Sequence, residues 1–216
     1  MANSTPLIHF EKLNIDKVQF SEPVLTDKKP PQKTAYIKYE DKRLMFQTPN
    51  SPFPFGITSY QNDPANGRTL ALTLDNAVFK EKMEALDAKV FNYVKKHSEF
   101  FFGEELDDKL LKRFHKPIVK WSKSDKYPRD KYPPSLRIKI TDSVKFCDAD
   151  KQPVDRSYLT QQSSGLAMVQ VGALYIMDSA FGVPLYAHNV KVLDQPREEF
   201  GFHEDGQADG SAPDWD

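Results

Sequence analysis

The stretch GLAMVQVGALYIMDSAFGVPLYAHNVKVL, Gly165 to Leu193, decides how the chain folds. It is rich in aliphatic, β-branched and aromatic residues, and its polar interruption at Asp178-Ser179 splits it into two runs. The spacing predicts two strands, Gly165–Asp178 and Gly182–Leu193, joined by a short turn at Ser179-Ala180-Phe181. The longest apolar run, Gly165 to Met177, is 13 residues and contains Gln170, well short of the roughly 20 that a membrane helix needs. No transmembrane helix is expected.

Upstream, Ser135 to Thr141 alternates, with Leu136, Ile138 and Ile140 on one face and Arg137 and Lys139 on the other. Another strand is predicted at Val144–Cys147. Arg68 to Leu74 puts Leu70, Leu72 and Leu74 on one face of a half-buried strand, and Ala35–Tyr39 with Arg43–Thr48 reads as a hairpin around Glu40-Asp41-Lys42, with Ile37, Leu44 and Phe46 in the core. The loop NSPFPF turns the chain before Phe55–Tyr60. Between the strand sets the period changes to a helical one: Phe79, Met83, Leu86, Val90 and Tyr93 or Val94 recur at helical spacing up to about His97, with Asp75 or Asn76 as the N-cap. A shorter helix is predicted from Glu104 to Phe114, acidic at its start and basic at its end as the helix dipole favours. Residues 1–33 read as an arm or first strand followed by the stiff, charged run KKPPQK.

Strands, two helices, then strands again, with no alternating helix-strand order, predict a mainly β (α+β) chain: an antiparallel sheet or barrel carrying a helical insertion at about 76–114. The expected organisation is an arm over 1–33, one domain over 34–193 and a disordered acidic tail over 194–216.

The net charge of −1 conceals a strong asymmetry along the 216 residues. Asp194 to Asp216 carries eight acidic residues against Arg197 alone, a net of −7, so residues 1–193 are +6. Lys109 to Lys145 holds twelve basic and three acidic residues, a net of +9, with Phe114, Trp121, Tyr127 and Tyr132 interleaved. A solvated surface would explain the charge alone. The aromatics add a second reading, a cationic groove that follows a nucleic-acid backbone while bases stack on rings.

Catalytic patterns are missing from the sequence: it has no P-loop, dinucleotide fingerprint, nucleophile elbow or HExxH. The five histidines (His9, His97, His115, His188, His203) show no metal-ligand spacing, and the carboxylates Glu104-Glu105 and Asp107-Asp108 suit a helix start. Cys147 is the only cysteine, which excludes an intrachain disulfide, and it is expected as a small buried hydrophobe. The N-terminus shows no secretory pattern, so an intracellular protein is expected. No enzyme activity, cofactor or metal is expected.

Taken in order, AYIKYEDKRLMFQTP (Ala35–Pro49), PFGITSY (Pro54–Tyr60), YPPSLRIKI (Tyr132–Ile140) and GALYIMDSAFGVPLYAHNVKV (Gly172–Val192) resemble the single-stranded DNA-binding protein family of large eukaryotic DNA viruses, which is related to that of short-tailed bacteriophages. The resemblance covers most of residues 15–193. It implies an OB-fold core with a helical insertion, sequence-tolerant binding of single-stranded DNA in replication, recombination or repair, homodimers, and a location in the host nucleus or a cytoplasmic virus factory. It also implies that the acidic tail (Glu204, Asp205, Asp209, Asp214, Trp215, Asp216) competes with DNA and recruits replication proteins. Asp214-Trp215-Asp216 departs from the phage pattern of a terminal phenylalanine.

The candidate DNA contacts are Arg137 and Lys139 on their strand, Lys116, Lys120, Lys123, Lys126, Arg129 and Lys131 in the preceding basic segment, and Arg43 and Arg68. Trp121, Tyr127 and Tyr132 are the candidate stacking rings, with Tyr60, Tyr175 and Tyr186 behind them. The alternative reading is a non-catalytic virion structural or scaffolding protein that uses the basic face and acidic tail to bind proteins.

Overall fold

Gly172 and Pro184 face one another across the C-terminal hairpin and break it into two halves. Pro184 has no amide hydrogen for a ladder, the Gly172 amide donates to its carbonyl oxygen at 2.8 Å, and a Cβ on Gly172 would sit 2.8 Å from the proline ring. The sequence reading of two continuous strands therefore becomes four.

The computed structural model describes residues 6–59, 67–122, 131–177 and 179–196. In its first part run β1 (Ile8–His9), β2 (Val18–Phe20), β3 (Val24–Leu25), β4 (Lys33–Ala35), β5 (Ile37–Tyr39), β6 (Lys42–Arg43), β7 (Met45–Gln47), β8 (Ser51–Phe53), β9 (Ile57–Ser59) and β10 (Arg68–Thr73). Three helices follow, α1 (Ala77–Lys96), α2 (Ser98–Phe102) and α3 (Asp108–Phe114). The chain then returns to strands: β11 (His115–Lys116), β12 (Val119–Lys120), β13 (Ser135–Ile140), β14 (Lys145–Cys147), β15 (Pro153–Val154), β16 (Ser163–Val171), β17 (Leu174–Met177), β18 (Ala180–Gly182) and β19 (Leu185–Asp194).

The fold is thus mainly β with a few helices. The main sheet runs β1-β7-β16-β19-β13-β10-β9, and a second runs β11-β18-β17-β4-β3. The inner half of the C-terminal hairpin, β16 with β19, belongs to the first sheet, and the outer half, β17 with β18, to the second. The purely antiparallel expectation needs correction, because β1 with β7, β13 with β19, β14 with β19 and β11 with β18 pair parallel. Short strands that come from distant parts of the chain add to an edge in either direction, and residue alternation does not encode that direction.

A third sheet, β2-β5-β6, contains the expected hairpin, but only in part. Glu40 and Asp41 turn with φ of 50° and 63°, the left-handed pair of a tight hairpin turn, and Lys38 pairs with Arg43. The strand read as Arg43–Thr48 then breaks at buried Leu44, and β7 crosses to pair with β16. The helix read from Glu104 starts later, because the Asp107 carboxylate accepts the Leu110 amide at 2.7 Å and caps α3 there.

The core is one cluster. Helix α1 is capped by Asn76, whose side chain accepts the Phe79 amide at 2.9 Å, and it buries Phe79, Met83, Leu86, Val90 and Val94. Phe79 meets Phe46 of β7 and Phe10 edge-on at 5.9 and 5.8 Å, joining helix, sheet and N-terminal segment. Leu70, Leu72, Leu136 and Ile138 are buried as alternation predicts. Cys147 corrects its expectation: Phe146 takes the buried position of β14, so Cys147, one residue on, is only half-buried. Among the described residues no helix is long and apolar enough to cross a membrane.

The N-terminal residues are docked on α1. The Lys82 ammonium donates to the carbonyl oxygens of Phe10 and Glu11 at 2.9 and 2.5 Å, and Lys89, two helical turns on, donates to those of Ile15 and Asp16 at 2.9 and 3.0 Å. Tyr93 continues that face, its hydroxyl donating to the Ser21 carbonyl at 2.7 Å and its ring stacked on Phe20 at 4.3 Å.

Burial, aided by the charge of Glu22, pushes the Tyr93 hydroxyl up to about 12. The protonated form is the one the fold accommodates. Its contribution to stability is fully present below the ordinary tyrosine value of 10.0 and is lost as pH rises through about 12. Alkaline denaturation followed by near-UV absorbance should show this late-titrating tyrosine, and Tyr93→Phe should remove that step.

Candidate nucleic-acid interface

Alternation on β13 places Leu136, Ile138 and Ile140 in the core and leaves Arg137 and Lys139 exposed on the opposite face. Strand register fixes their neighbours: Lys139 lies opposite Thr69 of β10 and beside Tyr186 of β19. The Lys139 ammonium sits 5.7 Å from the centre of the Tyr186 ring, a contact that keeps both side chains extended on this face.

The second sheet rises beside this surface, and together they enclose a groove of about 800 Å³. Its cations are Lys28, Lys33, Lys116, Lys120, Arg137 and Lys139, and its rings are Tyr36, Tyr175 and Tyr186. Among the described residues no carboxylate lines it. Tyr36 is 52% and Met177 62% exposed, so this wall presents apolar area to solvent. A positive groove with open aromatic faces attracts a polyanion and accepts flat rings without selecting among them.

Gly182 allows the walls to meet. A Cβ there would lie 2.8 Å from the Lys116 carbonyl oxygen and 2.9 Å from the Tyr175 hydroxyl, so only glycine lets β11 carry Lys116 over Tyr175. Burial in turn raises the Tyr175 hydroxyl above its ordinary range. Lys33 has a different task. It donates to the Phe101 carbonyl at 3.0 Å and lies 5.9 Å from the Phe100 ring centre, tying β4 to α2.

The structure brings together Lys116, Lys120, Arg137, Lys139, Tyr175 and Tyr186 from the sequence candidates. It separates others. Trp121 follows Lys120 and faces the other way, half-buried against the core in a shallow pocket of about 360 Å³ with Glu84, Asp87, Phe91, Lys112 and His115. In that pocket His115 Nε2 is 3.1 Å from Asp87 Oδ1, off the line of a hydrogen bond. Arg68 is held 2.7 Å from Asp142 at the end of β10, and Arg43 lies exposed in the β5–β6 hairpin. Lys131 and Tyr132 contact each other, ammonium to ring centre 5.5 Å, ahead of β13 and outside the groove lining.

Lys123, Lys126, Tyr127, Arg129 and Tyr60 lie outside the described residues, as do Glu204, Asp205, Asp209, Asp214, Trp215 and Asp216. Sequence reasoning missed Lys28, Lys33, Tyr36 and Met177. The signal for the first two was the KKPPQK run, read as a connection although its lysines form a wall of the groove.

No protein-family model and no curated protein matches this chain in sequence. Solved structures do match its path. The single-stranded DNA-binding protein encoded by bacteriophage T7 aligns over 79% of this chain and 96% of its own, at 11% identity and a TM-score of 0.51. The single-stranded DNA-binding protein of bacteriophage Enc34 in complex with single-stranded DNA aligns over 84% and 99%, at 8% identity and a TM-score of 0.44. The first of these likenesses supports a shared fold.

Gly182→Ala should force β11 from its place. We expect a loss of about 1–3 kcal/mol in denaturant unfolding, whereas an unchanged midpoint would show that β11 tolerates the displacement.

Proposed function

We propose that this protein is a non-catalytic, sequence-tolerant single-stranded DNA-binding protein whose central sheet is the barrel of an OB-fold. The observation that carries this reading is the groove with six cations, three tyrosines and no carboxylate among its described residues. Neutralising phosphates there releases counterions, which supplies affinity without sequence preference. Each base stacked on a ring adds about 1–3 kcal/mol, also without preference. The fold similarity to the phage T7 protein, itself a single-stranded DNA-binding protein, supports the same reading.

The finer proposals follow from charge and from the family resemblance. The −7 segment after Leu193 competes with DNA for the groove cations and recruits replication proteins. The chain acts as a homodimer in replication, recombination or repair of viral DNA, within the host nucleus or a cytoplasmic virus factory.

Fluorescence anisotropy of labelled oligothymidine tests this directly. The full chain should bind with steep salt dependence, and a chain stopping at Asp194 should bind more tightly. Arg137→Ala with Lys139→Ala should flatten the plot of log affinity against log salt by about 1.4, at roughly 0.7 per phosphate contact for single strands. Tyr186→Ala should cost about 1–3 kcal/mol of binding. No binding at low salt by either chain length would overturn the proposal in favour of a protein-binding scaffold.

A further inference from the structure

The outer face of the main sheet continues beyond the groove. Across β16 and β19, Gln170 lies opposite Tyr186, Met168 opposite Asn189 and Leu166 opposite Lys191. These β16 residues are two apart, so their side chains share one face. Tyr186 belongs to the groove, whereas Met168, Asn189, Leu166 and Lys191 line a second pocket of about 670 Å³. From Tyr186 to Lys191, opposite Gln170 and Leu166, the ladder advances roughly 13 Å.

A register shift between Met168 and Val169 leaves His188 as the extra residue of β19. This bulge lets His188 and Asn189 both face outward while Ala187 and Val190 stay in the core. His188 Nε2 lies 2.8 Å from Gln170 Oε1, and the Asn189 amide donates to Met168 Sδ at 3.2 Å. The surface between the two pockets is therefore polar and held by these side-chain hydrogen bonds.

The second pocket has its own positive charge. β14 runs parallel beside β19 and places Lys145 next to Asn189. The Asp142 carboxylate at the rim is shared by Arg68 at 2.7 Å and Arg156 at 3.3 Å, leaving that trio positive. Asp155 also lines the pocket, where it accepts the Ser157 amide at 2.9 Å and keeps its charge, so the lining sets Lys145, Arg156 and Lys191 against Asp142 and Asp155. Among the described residues neither Lys145 nor Lys191 is held in an ion pair. Leu166, Met168 and Pro153 give the pocket an apolar lining between its cations, a pairing suited to a strand that carries phosphates along one edge and flat bases along the other.

We infer that single-stranded DNA leaving the groove at Tyr186 continues along β19, over His188 and Gln170, and ends in this second pocket with its phosphates at Lys145 and Lys191. The inference rests on the proposed function and extends its site. It makes the binding surface a track of two pockets in series, so strand length determines how much of the track is engaged.

The test compares labelled oligothymidines of about 4 and about 16 nucleotides, the two ends of the range for one site of this type. The proteins are the full chain, Lys145→Ala with Lys191→Ala, and Arg137→Ala with Lys139→Ala. For the longer strand, the Lys145/Lys191 variant should flatten the salt dependence of log affinity by about 1.4, two phosphate contacts at roughly 0.7 each. For the shorter strand it should bind as the parent does, which also shows that it is folded. The groove variant should weaken both lengths. An unchanged salt slope for the longer strand in the Lys145/Lys191 variant would overturn the inference and leave the second pocket to a protein partner. Equal weakening at both lengths would overturn the series arrangement. Failure of the parent chain to bind either length would instead remove the proposed function on which the inference rests.

Discussion

The ladder between β16 and β19 is the constraint on which the rest of this structure depends. It joins the two longest strands, nine and ten residues, through paired positions from Ser164 with Asp194 to Val171 with Leu185. Further elements dock on its edges: β7 and β8 on β16, and β13 and β14 on β19. Its inner face supplies Ala167, Val169, Val190 and Val192 to the core. Its outer face supplies Tyr186 to the groove and Asn189 and Lys191 to the second pocket. A slip of one residue would exchange these two faces, placing Tyr186 and Lys191 in the core. The buried apolar set forbids that exchange, and so holds the outer face in register.

The same logic explains where the charge lies. Burying an unpaired ammonium is costly, so the cations of a half-buried strand are driven to its open face once Leu136 and Ile138 occupy the core. Two open faces then meet. The break at Gly172 and Pro184 sends the outer half of the hairpin into the second sheet, where it carries Tyr175 between the lysine-bearing strands β4 and β11. Hydrophobic burial thereby assembles an electrostatic feature that no single strand possesses.

Much of this was readable from residues alone. The helical period from Phe79 to Val94 gave α1, and alternation in Ser135–Ile140 assigned Arg137 and Lys139 to an exposed face. Both signals are local, set by the 3.6 and 2.0 periods of helix and strand. The readings that changed share a different cause. Arg43–Thr48 holds two strands because β7 leaves its hairpin for a partner far along the chain. Trp121, chosen for its cationic neighbours, faces α1, since adjacent positions on an extended chain point opposite ways and Lys120 takes the groove side. Arg68 is drawn aside by Asp142, 74 residues further along.

The amino-acid sequence by itself determined the periodicity of each segment, the sorting of charge into a basic middle and an acidic end, and the outward direction of the β13 cations. These follow from side-chain identity and spacing within a few residues. Only the tertiary structure decided which strands are neighbours, that the arm lysines Lys28 and Lys33 line a groove built from the other end of the chain, and that Trp121 lies on the opposite side. Those outcomes depend on contacts between distant segments, whose pairing is selected by burial of the shared core and leaves no pattern in any one stretch of residues.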